Sequence, residues 1–497
     1  MKEEKKIWKN AALLAGGGLI AKGVGALYRV PLLRVLGSYG VGLYQMVFPV
    51  YSLLLTLSAS GVPTAVSKLT AEERGEEREK ILLAAESVLP VLGLFLSLLL
   101  AAFSGVIAKL QGNGEAALCY LAISPSVFFV AAFSAVRGYF QGKTNVIPTA
   151  VSQILEQVGK LVFGLTFAFL FLPDPVRAAF GAALGVTAGE GLALFYLFLR
   201  LAAERRKTPR VRLKRTERKP LIKKVFALLL PMTVVSVLPV LAGVFTGFFT
   251  IPLLSLYTEN ATAAYGVYFG GVTALVSLPV ALCYGIAVSV LPVLSKRRKE
   301  GADTAESVKR SYFYTFALSF FAAVMLFFFR GEIVALLYPG LSAEETALFS
   351  DLLLYAAWTV PVSALLQTAN AVMIAEGKVR RLAVHLGAGC FLETALGYSL
   401  LFLGVGIISL PVAAFFGNMV ATALNLFYNR KESGLSLRFF GKAFGAAAVS
   451  LLSAWLGKTL ARGFSPLAAL TVGGIAASAC FIAFAAAKGE ALRRKRT

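Results

Sequence analysis

Lys22, Arg29 and Lys160 each interrupt an apolar stretch long enough to cross a membrane. A cation at the middle of a spanning helix costs about 2.5 to 3.5 kcal/mol on insertion scales, so each of the three must face a cavity or a partner. Lys22 and Arg29 are seven residues apart and share one helical face, which Gly18, Gly25 and Ala26 leave open. Like charges on one face repel unless an anion or carboxylates sit between them. An anion-binding cavity and a structural pairing are the two readings. Glu156 precedes Lys160 by one helical turn, a spacing that permits an i,i+4 ion pair. Glu156 then either satisfies Lys160 in a salt bridge or orients it toward an anion, and Glu190 is a further acid that could partner a cation. The second half of the chain offers Glu393 and the single histidine, His385, eight residues apart and roughly on one face. A proton or cation site competes there with packed, satisfied polar groups.

The elements that must hold these groups are helices. Fourteen apolar stretches are expected near 10–35, 41–67, 81–108, 116–136, 146–172, 178–199, 225–251, 262–292, 308–329, 346–375, 382–403, 406–428, 439–460 and 466–487. A bilayer core of about 30 Å needs roughly 20 helical residues. Hydrophobic residues are 58% of the chain and charged residues 15%, far from a soluble composition. Barrel strands are about 10 residues long and alternate in polarity, whereas 88–102 is apolar on every side. The expected fold is therefore all-α, a polytopic protein of the cell membrane. The first stretch exceeds a signal-peptide core and is expected to be retained.

A net charge of +23 raises the question of nucleic acid. Placement decides against it. Most of the 49 lysines and arginines lie in the amino terminus, the even-numbered connections and the carboxy terminus, while Arg34, Lys109, Arg177, Arg330, Lys458 and Arg462 lie in or beside the odd-numbered ones. The positive-inside rule puts both termini in the cytoplasm. The densest basic stretch, Arg200 to Lys224, has no interleaved aromatic stacking residues and reads as a linker lying against anionic membrane lipid.

An internal echo organises the chain. Pro125, Gly142-Lys143 and Glu156 recur as Pro361, Gly377-Lys378 and Glu393, and Pro63 with Ser67-Lys68 recurs as Pro292 with Ser295-Lys296. A repeat of six spans preserves orientation and predicts two parallel lobes, an arrangement found in transporters with a midplane substrate site. The divisions are 1–200 for the first lobe, 201–224 for the linker, 225–430 for the second lobe and 431–497 for two unrepeated spans and a basic tail. Gly181, Gly185 and Gly189 form a double GxxxG, which suits close helix packing. Cys119, Cys283, Cys390 and Cys480 fall in spans without a CxxC pair, so neither disulfide nor metal cluster is indicated and no cofactor is expected. The segment GYFQGKT, Gly138 to Thr144, has three residues between its glycines where a phosphate loop needs four. An integral-membrane enzyme would need an outer loop or a polar cluster of acids and histidines, and the longest outer connection, about Arg330 to Glu345, has no such cluster.

Arg137-Gly138-Tyr139-Phe140-Gln141-Gly142, followed by Asn145, Pro148-Thr149-Ala150, Ser152-Gln153 and Glu156-Gln157, resembles the span 4 to span 5 signature of the stage V sporulation protein B family. Tyr28-Arg29-Val30, Arg34-Val35-Leu36-Gly37, Gly40-Val41-Gly42-Leu43-Tyr44 and Gly61-Val62-Pro63 with Ser67-Lys68-Leu69 are similar to the same family's first two spans. That family lies in the multidrug/oligosaccharidyl-lipid/polysaccharide exporter superfamily and resembles the lipid II flippases of the MurJ type. The resemblance implies two six-helix lobes around a cavity, movement of an undecaprenyl-diphosphate-linked sugar outward across the bilayer, and cavity cations on the first helix near Lys22 and Arg29. Spans 13 and 14 would carry the lipid tail. The expected partners are a lipid-linked anionic oligosaccharide and membrane lipids, with the chain acting as a monomer. Span 7 departs from some relatives in carrying no acid for sodium. A drug/cation antiporter of the same superfamily is the alternative.

Overall fold

The computed structural model describes residues 2–206, 211–285, 305–430, 437–461, 463 and 465–493. Helices dominate because a chain without water around it must bond its peptide groups internally. The chain divides into two compact units, Met1–Gly266 and Val267–Thr497.

In the first unit α1 (Lys2–Met46), α2 (Phe48–Ser58) and α3 (Val62–Glu72) follow almost without interruption. Gly37, with φ 66° and ψ 175°, breaks α1, a conformation open to glycine. Then come α4 (Glu76–Glu86), α5 (Leu89–Leu110), α6 (Ala117–Gly142), α7 (Ile147–Leu170), α8 (Pro175–Arg205), α9 (Arg215–Leu254) and α10 (Ala261–Gly266). Much of the basic stretch read as a linker is thus helix, since α8 runs on to Arg205 and α9 starts at Arg215. Both of those ends are tied to α4. Arg205 binds Glu79 at 2.6 Å and Glu86 at 2.8 Å, and Lys80 binds Glu217 at 3.0 Å. The Lys80 ammonium and the backbone N–H of Lys214 hold the Glu217 carboxyl below the usual carboxylate range.

Missing side chains let these helices touch. A Cβ at Gly185 of α8 would lie 2.2 Å from Gly164 Cα of α7, and one at Gly181 would meet the Phe167 carbonyl at 2.6 Å. The double GxxxG is a packing stripe, as its spacing predicts. Gly138 and Gly142 of the GYFQGKT segment do the same for α6 against α3, where a Cβ would meet the carbonyls of Pro63 at 2.7 Å and Ser67 at 2.6 Å. At the other end of the unit a Cβ on Gly42 would meet Thr262 O at 2.1 Å, and one on Gly266 would meet Ser38 O at 2.0 Å. Asn113 spans this α1–α10 seam, donating to Tyr39 Oη at 3.0 Å and Thr262 Oγ1 at 3.1 Å.

The second unit opens with a π turn, Val267–Val272, and continues through α11 (Ala305–Phe328), α12 (Arg330–Leu337), α13 (Ala343–Ala356), α14 (Thr359–Ala375), α15 (Val379–Phe402), α16 (Ser409–Tyr428), α17 (Leu437–Leu460) and α18 (Pro466–Arg493). α15 and α16 close on each other at Gly389 and Gly417. α17 and α18 pair through Gly457 and Gly473 and lie on α11 and α12 through a Phe321–Phe481 stack at 4.5 Å and a Lys458–Glu332 ion pair. Large apolar side chains face outward, Phe444 at 78% and Phe391 at 76% exposure, as a lipid-facing surface requires.

Each expected stretch falls on helix in the described residues, 262–292 as far as residue 285. The number of separate spans differs. Among the described residues ten helices are long and apolar enough to cross a membrane, or eleven if the α13–α14 pair, bent by 44°, is one span. α1 to α3 count once, as a 57-residue run from Gly16 to Glu72, although a bilayer needs only roughly 20 residues. α15 is not among the ten; its most apolar part still carries His385 and Glu393. Pro292, Ser295 and Lys296, part of the expected repeat, lie outside the described residues.

Candidate functional site

The first unit gathers charges from four helices into one place. Arg29 comes from α1, Arg137 from α6, Glu156 and Lys160 from α7, and Glu190 from α8. Close packing makes this possible: a Cβ on Gly189 would sit 2.7 Å from both Glu156 O and Lys160 N, and one on Gly25 would sit 2.6 Å from Gln157 Oε1. The Lys22 side chain lies outside the described residues.

Glu156 does not hold Lys160. Its Oε2 is 3.1 Å from Arg137 Nη2 and its Oε1 accepts from Gln157 Nε2 at 3.0 Å. The expected i,i+4 pair loses to Arg137, whose planar guanidinium is also fixed by Ser152 Oγ at 3.0 Å and by the Phe133 ring at 4.1 Å. Arg137 had the signature of a loop cation because span 4 was expected to end at 136. α6 runs to Gly142, so the guanidinium stays inside the bundle, its side chain 12% exposed.

Lys160 makes no ion pair among the described residues. Its Nζ lies 5.6 Å from the Tyr28 ring centroid and 5.1 Å from that of Phe48, where cation–π attraction contributes about 0.5–2 kcal/mol. Arg29 acts on it as a like charge. Glu190 is 6% exposed, and its Oε2 has no hydrogen-bond partner among the described residues. The Tyr51 and Ser126 hydroxyls bond at 2.5 Å close by. The result is a cluster with two cations of like charge side by side, one carboxylate engaged by Arg137 and Gln157, and one buried acid.

The second unit does not bring His385 and Glu393 together. Eight residues of helix put them about 12 Å apart along the axis. His385 Nδ1 meets Asn425 Oδ1 at 2.8 Å, Asn425 donates to Asn370 Oδ1 at 3.0 Å, and Tyr428 stands edge-on at 5.8 Å. His385 is thus a packed, satisfied polar group. Glu393 presses against Gly417, where a Cβ would be 2.6 Å from its own. Sequence reasoning missed the asparagines, because an uncharged amide in an apolar stretch carries no signal of its own.

Residues 7–297 match the polysaccharide biosynthesis protein family, and residues 231–399 match MatE. The chain belongs to the polysaccharide biosynthesis protein family. Stage V sporulation protein B of Bacillus subtilis (strain 168) is 30% identical over 379 residues, 73% of each chain. Lipid II flippase MurJ of the same organism is 29% identical over 180 residues, covering 34% of this chain and 33% of that one. The fold is similar to that of lipid II flippase MurJ, solved in an inward closed conformation, with a TM-score of 0.78, 15% identity and coverage of 97% of this chain and 99% of that one. As a polysaccharide biosynthesis family member the chain is a multi-pass plasma-membrane protein, and it stands among flippases and transport proteins rather than enzymes.

Proposed function

We propose that this protein is an alternating-access flippase that carries an undecaprenyl-diphosphate-linked sugar from the inner to the outer leaflet. The observation that carries the proposal is Lys160, held beside Arg29 without a carboxylate of its own. Two cations that repel inside a bilayer are stabilised by a ligand of about two negative charges, and a diphosphate supplies them. Lys22, seven residues before Arg29 in the sequence, is the third cation proposed for the diphosphate. The proposed plan has fourteen spans with cytoplasmic termini, lobes at 1–200 and 225–430, a basic linker at 201–224, and α17 and α18 outside the repeat for the lipid tail. The chain acts as a monomer. In sealed vesicles, lipid-linked sugar should become accessible to an outside probe only when the protein is present; drug efflux without lipid movement would instead identify a drug/cation antiporter. Deleting everything after Arg438 is expected to abolish movement of the long-chain lipid in a protein that still folds, and a normal rate would refute the role of α17 and α18.

Energy should come from the membrane potential. Each elementary charge moved is worth about 2.3 kcal/mol per 100 mV, and an anion moving outward travels down an inside-negative potential. Collapsing the potential with an ionophore at constant pH is expected to slow translocation several-fold. An unchanged rate would shift attention to a proton gradient acting through Glu190, Glu393 or His385.

A further inference from the structure

We propose that Arg137 is a positioning residue of the anion site: it holds Glu156 away from Lys160 so that the ammonium keeps an uncompensated charge. The inference rests on the reading of Lys160 as an anion holder.

Glu156 and Lys160 are one turn apart on α7, the spacing at which an acid and a base on one helix pair by default. Here they do not. Both oxygens of Glu156 are taken, Oε2 by Arg137 Nη2 at 3.1 Å and Oε1 by Gln157 Nε2 at 3.0 Å. Besides Glu156, the guanidinium is held from two sides: Nε donates to Ser152 Oγ at 3.0 Å and the Phe133 ring lies at 4.1 Å. Arginine's fork matches a carboxylate better than a lysine ammonium does, so the two cations do not share Glu156. Among the described residues, the other charged or titratable groups facing this cluster are Tyr28, Arg29 and Tyr44 on α1, Tyr51 on α2 and Glu190 on α8. Glu190 makes no ion pair with Lys160 either. With Arg137 in place Lys160 makes no ion pair among the described residues; without it, Glu156 is free to turn one helical step and neutralise Lys160.

A structural ion pair and a charge-sequestering one differ in the sign of one variant's effect. Binding of undecaprenyl diphosphate to the full-length protein in nanodiscs is the measurement, with thermal stability recorded alongside. Arg137→Gln is expected to weaken binding about tenfold, of the order that one pairwise coupling supplies. Glu156→Gln is expected to tighten it about threefold, because it removes an anion beside two cations. The double variant Arg137→Gln/Glu156→Gln should return to within about threefold of native, and in a Lys160→Gln background Arg137→Gln should add no further loss. Arg137→Lys, which keeps the charge without the fork, is the milder variant and should lose about threefold. Weaker binding in Glu156→Gln, or a full additional loss on Arg137→Gln when Lys160 is already glutamine, would overturn the role of Arg137 and leave only a structural pair. Unchanged affinity in Lys160→Gln alone would overturn the anion site itself, an outcome distinct from the other two.

Discussion

Arg29→Ala is expected to cut lipid translocation to below about a tenth of the native rate while the protein reaches the membrane in undiminished amount. Removing a cation from a spanning helix relieves an insertion cost of about 2.5 to 3.5 kcal/mol, so insertion should not suffer. The lost function follows from electrostatics: Arg29 faces Lys160 across the α1–α7 contact, and a diphosphate deprived of one of its proposed cations loses a charge-assisted contact of roughly 1.5–3 kcal/mol, a factor of ten or more. Arg29→Lys should recover part of the rate, since a point charge replaces a fork. A lipid-accessibility assay in reconstituted vesicles, normalised to protein content, decides the matter. Native activity in Arg29→Ala would remove the anion site from the mechanism.

The second large effect lies on the helix that braces the site. Gly185→Leu is expected to destabilise the protein by more than about 3 kcal/mol, beyond the usual range for overpacking, and to leave little folded material in detergent. The clash is with backbone: a Cβ at this position would stand 2.2 Å from Gly164 Cα and 2.3 Å from Gly164 N. A side chain could rotate away, but a main chain cannot. α8 must lift from α7, and that separates Gly189 from the backbone of Glu156 and Lys160, which a Cβ there would meet at 2.7 Å. Gly243→Ala, with nothing within 4 Å of the added carbon, is the matched control and should unfold at the native temperature. Thermal unfolding of the three proteins in one detergent checks the prediction; an equal midpoint for Gly185→Leu would mean that α7 and α8 do not depend on this contact.

Apolar length and the stripe of Gly181, Gly185 and Gly189 announce helices and their tightest contact, because both are written along one segment at a fixed period. Intramembrane charge is as legible: Arg29 and Lys160 stand out against their surroundings, and the structure places both in the same cluster with Glu190. Choice of partner was not legible. Glu156 has Lys160 one turn away and Arg137 nineteen residues away, and local spacing favours the wrong one. What decides is the three-dimensional closure of α6 on α7, together with a helix end five residues beyond Arg137 that no capping residue marks. His385 follows the packed, satisfied reading of its sequence, but its partners, Asn425 and Tyr428, come from the neighbouring helix and carried no signal in its own segment.

The α1–α10 seam at Gly42 and Gly266 has a consequence for motion. Ser38, Gly42, Thr262 and Gly266 meet there mostly through carbonyl oxygens and bare α-carbons, so little rotamer freedom is frozen when the seam shuts and little is regained when it parts. Such a joint behaves like two smooth rails, able to separate and rejoin without any side chain having to be repacked. Asn113, reaching to Tyr39 on one rail and Thr262 on the other, is a clasp across it, and parting of the rails then requires that one amide lets go.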